Sequence, residues 1–237
     1  MNIAFIPVRA GSKSIPLKNI KLLNGKPLVY WTALAAQNAN CIDRLVIATD
    51  SEVIKTTVLG FGFEKLCVYD RNPENAVDTA STESVMLEYI EQSDLKDDDL
   101  FFLIQATSPL LKSEHIDRMY KEFSENNADS MFSGVREKQF KWIERKTPHP
   151  NPLPMGEGDD VSLEPVNYDY RNRPRRQEFK GLIAENGACY INSVNNIKRD
   201  KCRLSGKISA CELPSYTLYE LDEPSDWIIV EEIMKNT

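Results

Sequence analysis

Ile3-Ala4-Phe5-Ile6-Pro7-Val8-Arg9-Ala10-Gly11-Ser12-Lys13-Ser14-Ile15-Pro16-Leu17-Lys18-Asn19 is the stretch on which the reading of this chain turns. Ile3 to Val8 is a short, nearly continuous apolar run, and from Arg9 the chain switches to small, hydroxyl and cationic residues. A run of that length and composition reads as a strand buried on both faces, ending in a turn. Runs of the same kind recur at Leu45–Thr49, Leu66–Tyr69 and Leu100–Gln105. Between them, Leu28–Asn38, Glu52–Gly60 and Thr82–Gln92 carry helical spacing, and Ser113–Glu125 follows the fourth run in the same way. Strands alternating with helices imply βαβ units, hence an α/β, Rossmann-like sandwich with a mainly parallel central sheet. Asp50-Ser51 and Ser113 are suited to cap the helices they precede. Pro224 is well placed to open a last helix after Asp222.

The 237 residues fit one domain, and the prolines and glycines gathered at 147–158 exclude a regular helix or a central strand there. That segment reads as a solvated, mobile loop. No stretch reaches the roughly 18 apolar residues that cross a bilayer, and the N-terminus lacks a basic leader, so a cytoplasmic protein is expected. Five cysteines without a CxxC pair read as buried free thiols. A net charge of -7 argues against general nucleic-acid binding, though a local basic cluster can still hold a small polyphosphate. His115 and His149 show no partner pattern, and Trp31, Trp142 and Trp227 are expected to be packing residues.

In an open α/β sheet, ligands bind beyond the carboxyl ends of the strands, which is where Arg9 to Asn19 must lie. Arg9, Lys13 and Lys18 suit phosphate, since a cation held about 4 Å from a phosphate charge gains roughly 4 kcal/mol at an effective dielectric near 20, before desolvation is subtracted. Gly11 permits close backbone approach, and Ser12 adds a fixed donor. Neither GxxxxGK[ST] nor GxGxxG is present. Later in the chain, Glu220 and Asp222 lie two apart, so in an extended segment both point to one side and can converge on a cation.

The order of residues from Ile6 to Asn19 closely resembles the N-terminal signature of the acylneuraminate cytidylyltransferase family, the CMP-sialic acid synthetases and their legionaminic and pseudaminic acid relatives; Val8 and Ser14 depart from it. Further blocks resemble the same family. They are Arg71-Asn72-Pro73-Glu74 with Asp78-Thr79-Ala80-Ser81-Thr82, Leu103-Ile104-Gln105-Ala106-Thr107-Ser108-Pro109-Leu110, Arg175-Arg176-Gln177, Glu185-Asn186-Gly187-Ala188-Cys189-Tyr190-Ile191-Asn192, and Tyr219-Glu220-Leu221-Asp222. Ala106 stands where the family usually has Pro, Ala184 where many relatives have Arg, and Glu220 where they have Asp.

The resemblance covers most of the chain outside the proline-rich segment. It implies transfer of CMP from CTP to the anomeric hydroxyl of a nine-carbon 2-keto sugar acid, with release of pyrophosphate. It also implies Mg²⁺ held by Glu220 and Asp222, and a homodimer formed through an accessory segment within 135–177. Residue by residue, Arg9 and Lys18 fall to the triphosphate, and Ser12, Lys13 and Asn19 to the nucleotide. Arg71, Ala80 and Thr82 fall to cytosine and ribose. Gln105, Arg176, Gln177, Asn186 and Tyr190 fall to the sugar acid, Arg176 pairing with its carboxylate. The hydroxyl proton passes either to Asp222 or to a metal-bound water. Two other readings remain: a 3-deoxy-octulosonate cytidylyltransferase, or a catalytically inactive sugar- or nucleotide-binding module.

Overall fold

The computed structural model describes residues 1–11, 15–75, 80–147 and 160–237. Ser12 and Lys13, the Asp78-Thr79 pair, His149 and residues 148–158 of the proline-rich segment lie outside the described residues. In chain order the elements are β1 (Asn2–Pro7), β2 (Leu22–Leu23), β3 (Lys26–Pro27), α1 (Leu28–Asn38), β4 (Arg44–Thr49), α2 (Glu52–Leu59), β5 (Leu66–Asp70), α3 (Thr82–Gln92), β6 (Leu100–Ile104), α4 (Ser113–Glu125), β7 (Ser130–Glu137), β8 (Trp142–Thr147), β9 (Asp160–Pro165), β10 (Leu182–Ser193), α5 (Val194–Asp200), β11 (Ile208–Glu212) and α6 (Pro224–Asn236).

Two compact units result. Met1–Val135 with Glu185–Thr237 forms the larger, and Arg136–Ala184 the smaller.

The larger unit is built on a seven-stranded sheet ordered β11-β7-β10-β6-β1-β4-β5. β1 pairs in parallel with both β4 and β6, so Phe5 lies between Val46 and Leu103. β10 runs antiparallel to β6, with Tyr190 opposite Leu103. Because successive side chains on a strand face opposite ways, β1 feeds two cores. Ile3 and Phe5 pack with Val85, Met86 and Tyr89 of α3. Ala4 and Ile6 pack with Val29 and Ala33 of α1 and with Ile116 and Met119 of α4. This two-sided burial is why the strand reads as a continuous apolar run rather than an alternating one. At roughly 2 kcal/mol per large apolar side chain removed from water, these layers hold the strand ends in place.

Ser51 caps α2, its Oγ accepting from Ile54 N–H at 3.4 Å. The expected cap at Ser113 is corrected: α4 already includes Ser113, and its N-cap is Lys112. There the Lys112 N–H donates to His115 Nδ1 at 3.2 Å, so the histidine ring satisfies the N–H of the cap residue itself. Trp31 and Trp227 are packing residues whose indole N–H groups donate to Leu23 O and Leu22 O, both at 3.0 Å. Trp142 differs, being 45% exposed on β8. All five cysteines are free; Cys189 and Cys211 are buried as expected, whereas Cys67 and Cys202 are exposed.

The smaller unit contains the β8–β9 hairpin, antiparallel with Glu144 opposite Leu163. Its aromatic residues pack on one another, Phe140 lying 4.2 Å from Tyr168 and 4.9 Å from Phe179 between ring centroids.

Candidate active site

Beyond the carboxyl ends of β1 and β6, residues from four separated stretches line one cavity of about 270 Å³. Arg9, Lys18 and Asn19 come from the loop after β1, and Arg71 from the end of β5. Ala80, Ser81 and Thr82 come from the start of α3, and Gln105 to Thr107 from the turn after β6. Thus Arg9, Lys18, Asn19, Arg71, Ala80, Thr82 and Gln105, all expected at the ligand, share it. A more apolar cavity of about 330 Å³ opens elsewhere, among Trp31, Leu110 and Met234, and gathers none of them.

Local contacts explain how each wall is held. The loop after β1 is pinned to the next strand's turn by Ala10 N–H donating to Asp50 Oδ1 at 3.3 Å. It is closed on itself by Asn19 Nδ2 donating to Arg9 O at 3.1 Å. Leu17 takes a left-handed backbone, φ 49°, and turns the chain into the short 3-10 segment that presents Lys18 and Asn19. At α3, Ser81 Oγ accepts from Ser84 N–H at 3.0 Å, and the other N–H groups of that first helical turn are suited to an anion.

Arg71 is a buried cation of this wall. Its Nη2 donates to Asn75 O, while its buried Nε has no hydrogen-bond partner among the described residues. Burial, with Arg9 nearby, pulls its guanidinium below the ordinary value against the pull of Asp50 and Glu88. A buried donor and two neighbouring guanidinium groups make this wall demand an anion. Glu88, which the sequence reading did not single out, anchors the turn beside it. Its carboxylate accepts from Asn72 N–H at 2.8 Å and Tyr69 Oη at 2.7 Å, and also from Asn75 Nδ2. Burial raises the Glu88 carboxyl, but these hydrogen bonds and Arg71 outweigh it and hold the group below the usual carboxylate range.

Lys18 links the cavity to the segment before α6. Its Nζ donates to Leu221 O at 2.9 Å and to Asp222 Oδ1 at 3.3 Å. The same segment is tied to the turn after β6 by Leu221 N–H donating to Thr107 O at 2.9 Å. Burial, with help from Asp222 and Glu185 and against Lys18, pushes the Glu220 carboxyl up to about 7. No group of three or more potential metal-ligating side chains occurs among the described residues. Glu220 and Asp222 offer two carboxylates, and the ionised form of Glu220, disfavoured first by burial and then by Asp222, is what a hard dication would stabilise. The donor chemistry therefore fits magnesium, with substrate phosphate and water completing its oxygen shell.

Two residues expected at the sugar are buried in this structure. Asn186 is 1% exposed, and its amide donates to Thr217 Oγ1 at 3.0 Å and accepts from Ser133 Oγ at 2.6 Å, so its side chain is committed inside the protein. Tyr190 is 4% exposed; its hydroxyl donates to Glu185 and its ring lies 5.0 Å from the Arg203 guanidinium, which pairs with Glu83 at 2.6 Å. Both lie on β10 and are covered by the sheet's own packing. Arg176 and Gln177 belong to the smaller unit. There Arg176 lines a cavity of about 540 Å³ with Lys138 and Arg173, and the Arg173 guanidinium sits 4.4 Å over the Phe140 ring.

Residues 3–149 match the family model described as cytidylyltransferase. N-acylneuraminate cytidylyltransferase A of Danio rerio is 34% identical over 230 residues, covering 97% of this chain and 50% of that protein. N-acylneuraminate cytidylyltransferase of Streptococcus agalactiae serotype V is 30% identical, covering 96% and 52%. The chain thus spans about half the length of the curated relatives it matches. Among solved structures, CMP:2-keto-3-deoxy-manno-octonic acid synthetase complexed with CTP superposes with a TM-score of 0.60 at 14% identity, covering 99% of this chain and 98% of that one. The 2-C-methyl-D-erythritol 4-phosphate cytidylyltransferase of Francisella tularensis superposes with a TM-score of 0.64 at 15% identity, covering 98% and 99%. At these identities the two structures bear on the fold alone.

Proposed function

The chain belongs to the cytidylyltransferase family, and from that premise we propose that it transfers CMP from CTP to the anomeric hydroxyl of a nine-carbon 2-keto sugar acid of the sialic, legionaminic or pseudaminic type, releasing pyrophosphate. The observation that carries this reading is the gathering of Arg9, Lys18, Asn19, Arg71, Ala80, Thr82 and Gln105 around one cavity. The named relatives of both organisms support the nine-carbon acceptor.

In this reading the sugar hydroxyl attacks the α-phosphorus in line. The new O–P bond forms as the bond to the β-phosphate oxygen breaks, and pyrophosphate leaves. Arg9 and Lys18 neutralise the charge that builds on the phosphate oxygens, and Arg71 with the α3 start orients the nucleotide. Gln105 orients the acceptor. We assign the hydroxyl proton to Asp222, the 67% exposed member of the carboxylate pair. Glu220 and Asp222 would hold Mg²⁺, which when bound supplies further neutralisation of phosphate charge. The same reading makes the protein a cytoplasmic homodimer. The apolar Trp142, Val161 and Leu163, exposed on one face of the smaller unit's hairpin, suit a partner surface.

Pyrophosphate release tests this, with Mg²⁺, each nucleoside triphosphate and a panel of eight- and nine-carbon 2-keto acids. Release with CTP and one nine-carbon acid is expected. A preference for the eight-carbon acid would transfer the assignment to the octulosonate reaction, and release with no pair would favour the inactive binding module.

A further inference from the structure

The resemblance puts Asn186 at the sugar, and its side chain is held by Thr217, Ser133 and Ala188. The amide Nδ2 donates to Thr217 O at 3.2 Å and to Thr217 Oγ1 at 3.0 Å. Its Oδ1 accepts from Ser133 Oγ at 2.6 Å and from Ala188 N–H at 3.3 Å. Ser133 Oγ in turn accepts from Cys189 N–H at 2.9 Å. Both donors and the acceptor oxygen of the amide are therefore committed. The group they hold is the 3-10 turn Ser215–Leu218, which runs directly into Tyr219 and Glu220.

Gly187 meets Glu220 itself. It has φ +67°, and a Cβ built on it would lie 2.4 Å from Glu220 Oε1, so the carboxylate occupies the space that a side chain would fill. On the far side, Leu221 N–H is held by Thr107 O at 2.9 Å and Leu221 O by Lys18 Nζ at 2.9 Å. With the backbone of the segment tied on that side, a methyl group at position 187 would be met by movement of the flexible Glu220 side chain, which displaces the carboxylate.

We propose that Asn186 and Gly187 are positioning residues for the Glu220 carboxylate: Asn186 anchors the turn that precedes it, and Gly187 leaves the space it fills. The pair would act without touching the cation, by fixing where the Glu220 carboxylate lies. Glutamate reaches one methylene further than aspartate, so the closeness of its carboxylate to Gly187 follows from the residue this chain carries at position 220. The proposal rests on the reading of Glu220 and Asp222 as divalent-cation ligands.

The test is Mn²⁺ binding to the full chain without CTP, read from the electron paramagnetic resonance of free Mn²⁺. Gly187→Ala is expected to weaken binding about tenfold or more. Adding Glu220→Asp to Gly187→Ala withdraws the carboxylate from the new methyl group, and affinity should return to within about threefold of Glu220→Asp alone, a coupling expected only of residues in contact. Backbone strain at a positive φ is not relieved by shortening residue 220, so the melting temperature should stay depressed while Mn²⁺ affinity recovers. If Gly187→Ala does not fold, Thr217→Val removes one of the two Asn186 acceptors and should weaken Mn²⁺ binding severalfold. Wild-type Mn²⁺ affinity in both variants, or no recovery in the double variant, overturns the proposal. Asp222→Ala separates the two levels. If it abolishes Mn²⁺ binding while Gly187→Ala and Thr217→Val leave it intact, only the positioning role falls. If it leaves Mn²⁺ binding intact, the metal site itself falls and the proposal with it.

Discussion

The two sides of the site hold their charges by different means. Arg9, Arg71 and the α3 start stand at the ends of strands and a helix whose apolar faces are buried in the sheet's two cores. Glu220 and Asp222 ride on irregular chain between a 3-10 turn and α6, anchored by one apolar side chain, Leu221, buried with Leu110 and Trp227, and by polar contacts from Lys18, Thr107 and the Asn186–Thr217 bonds. The cationic side rests on whole strands and a helix packed into two cores. The carboxylate side has a single apolar anchor and several individual hydrogen bonds, and single polar substitutions should therefore disturb it more.

Lys18 touches both sides, so Lys18→Ala is the strongest way to break this contrast. It should lower kcat/KM about 10²- to 10³-fold, as loss of a charge-stabilising group does, while the fold persists by circular dichroism. Turnover near the wild-type rate would remove Lys18 from the account.

Arg71→Ala sharpens the comparison from the nucleotide side. Loss of a charge-assisted contact of about 1.5–3 kcal/mol should raise KM for CTP about 10- to 100-fold and leave KM for the sugar acid little changed. Steady-state kinetics with each substrate varied in turn decides it. An equal rise in both would mean that Arg71 supports the whole site rather than the nucleotide.

Glu88→Gln probes what the cationic side stands on. At pH 7 it should cost about 1–2 kcal/mol of stability by denaturant unfolding, through weakened hydrogen bonds to Asn72, Asn75 and Tyr69. The folded-state pKa is depressed below the ordinary glutamate value of about 4.5. Stability from ionised Glu88 is therefore fully present above about 4.5 and is lost as pH falls through the lower folded value. The gap between wild type and variant should close over that acid range. A gap independent of pH would assign the effect to packing.

Ser81→Ala is the mildest change. It removes the bond from Ser84 N–H and should cost about 1 kcal/mol of stability, with only a small effect on KM for CTP. A large KM effect would move Ser81 from helix cap to ligand contact.

How much of this could be read from the residues follows the same division. The four strand runs in the first half were legible because burial on both faces leaves continuous apolar stretches, and the helices between them kept their 3.6 period. The cationic side followed, since strand ends in such a sheet are where ligand loops must fall. β10 went unread as a strand: Glu185, Asn186 and Gly187 interrupt its apolar pattern, and only Ala188 to Ile191 carries a strand-like run. Asn186 and Tyr190 were assigned to substrate through the family resemblance, which carries no information on what else their side chains touch. Their polar groups are satisfied by Thr217, Ser133 and Glu185, partners distant or irregularly spaced in sequence. Glu88 carried no signal either, because a glutamate in mid-helix looks like an exposed one. The α4 cap was misread by one residue because His115, not a hydroxyl, accepts the Lys112 N–H.

The central claim is the transfer of the α-phosphoryl group, and it is tested most directly with CTP labelled at the α-phosphorus, Mg²⁺ and a nine-carbon 2-keto acid. The account predicts that the label appears in a CMP ester of the sugar acid, in equal amount with released pyrophosphate. Label found only in CTP, or in CMP formed without a sugar ester, would contradict it.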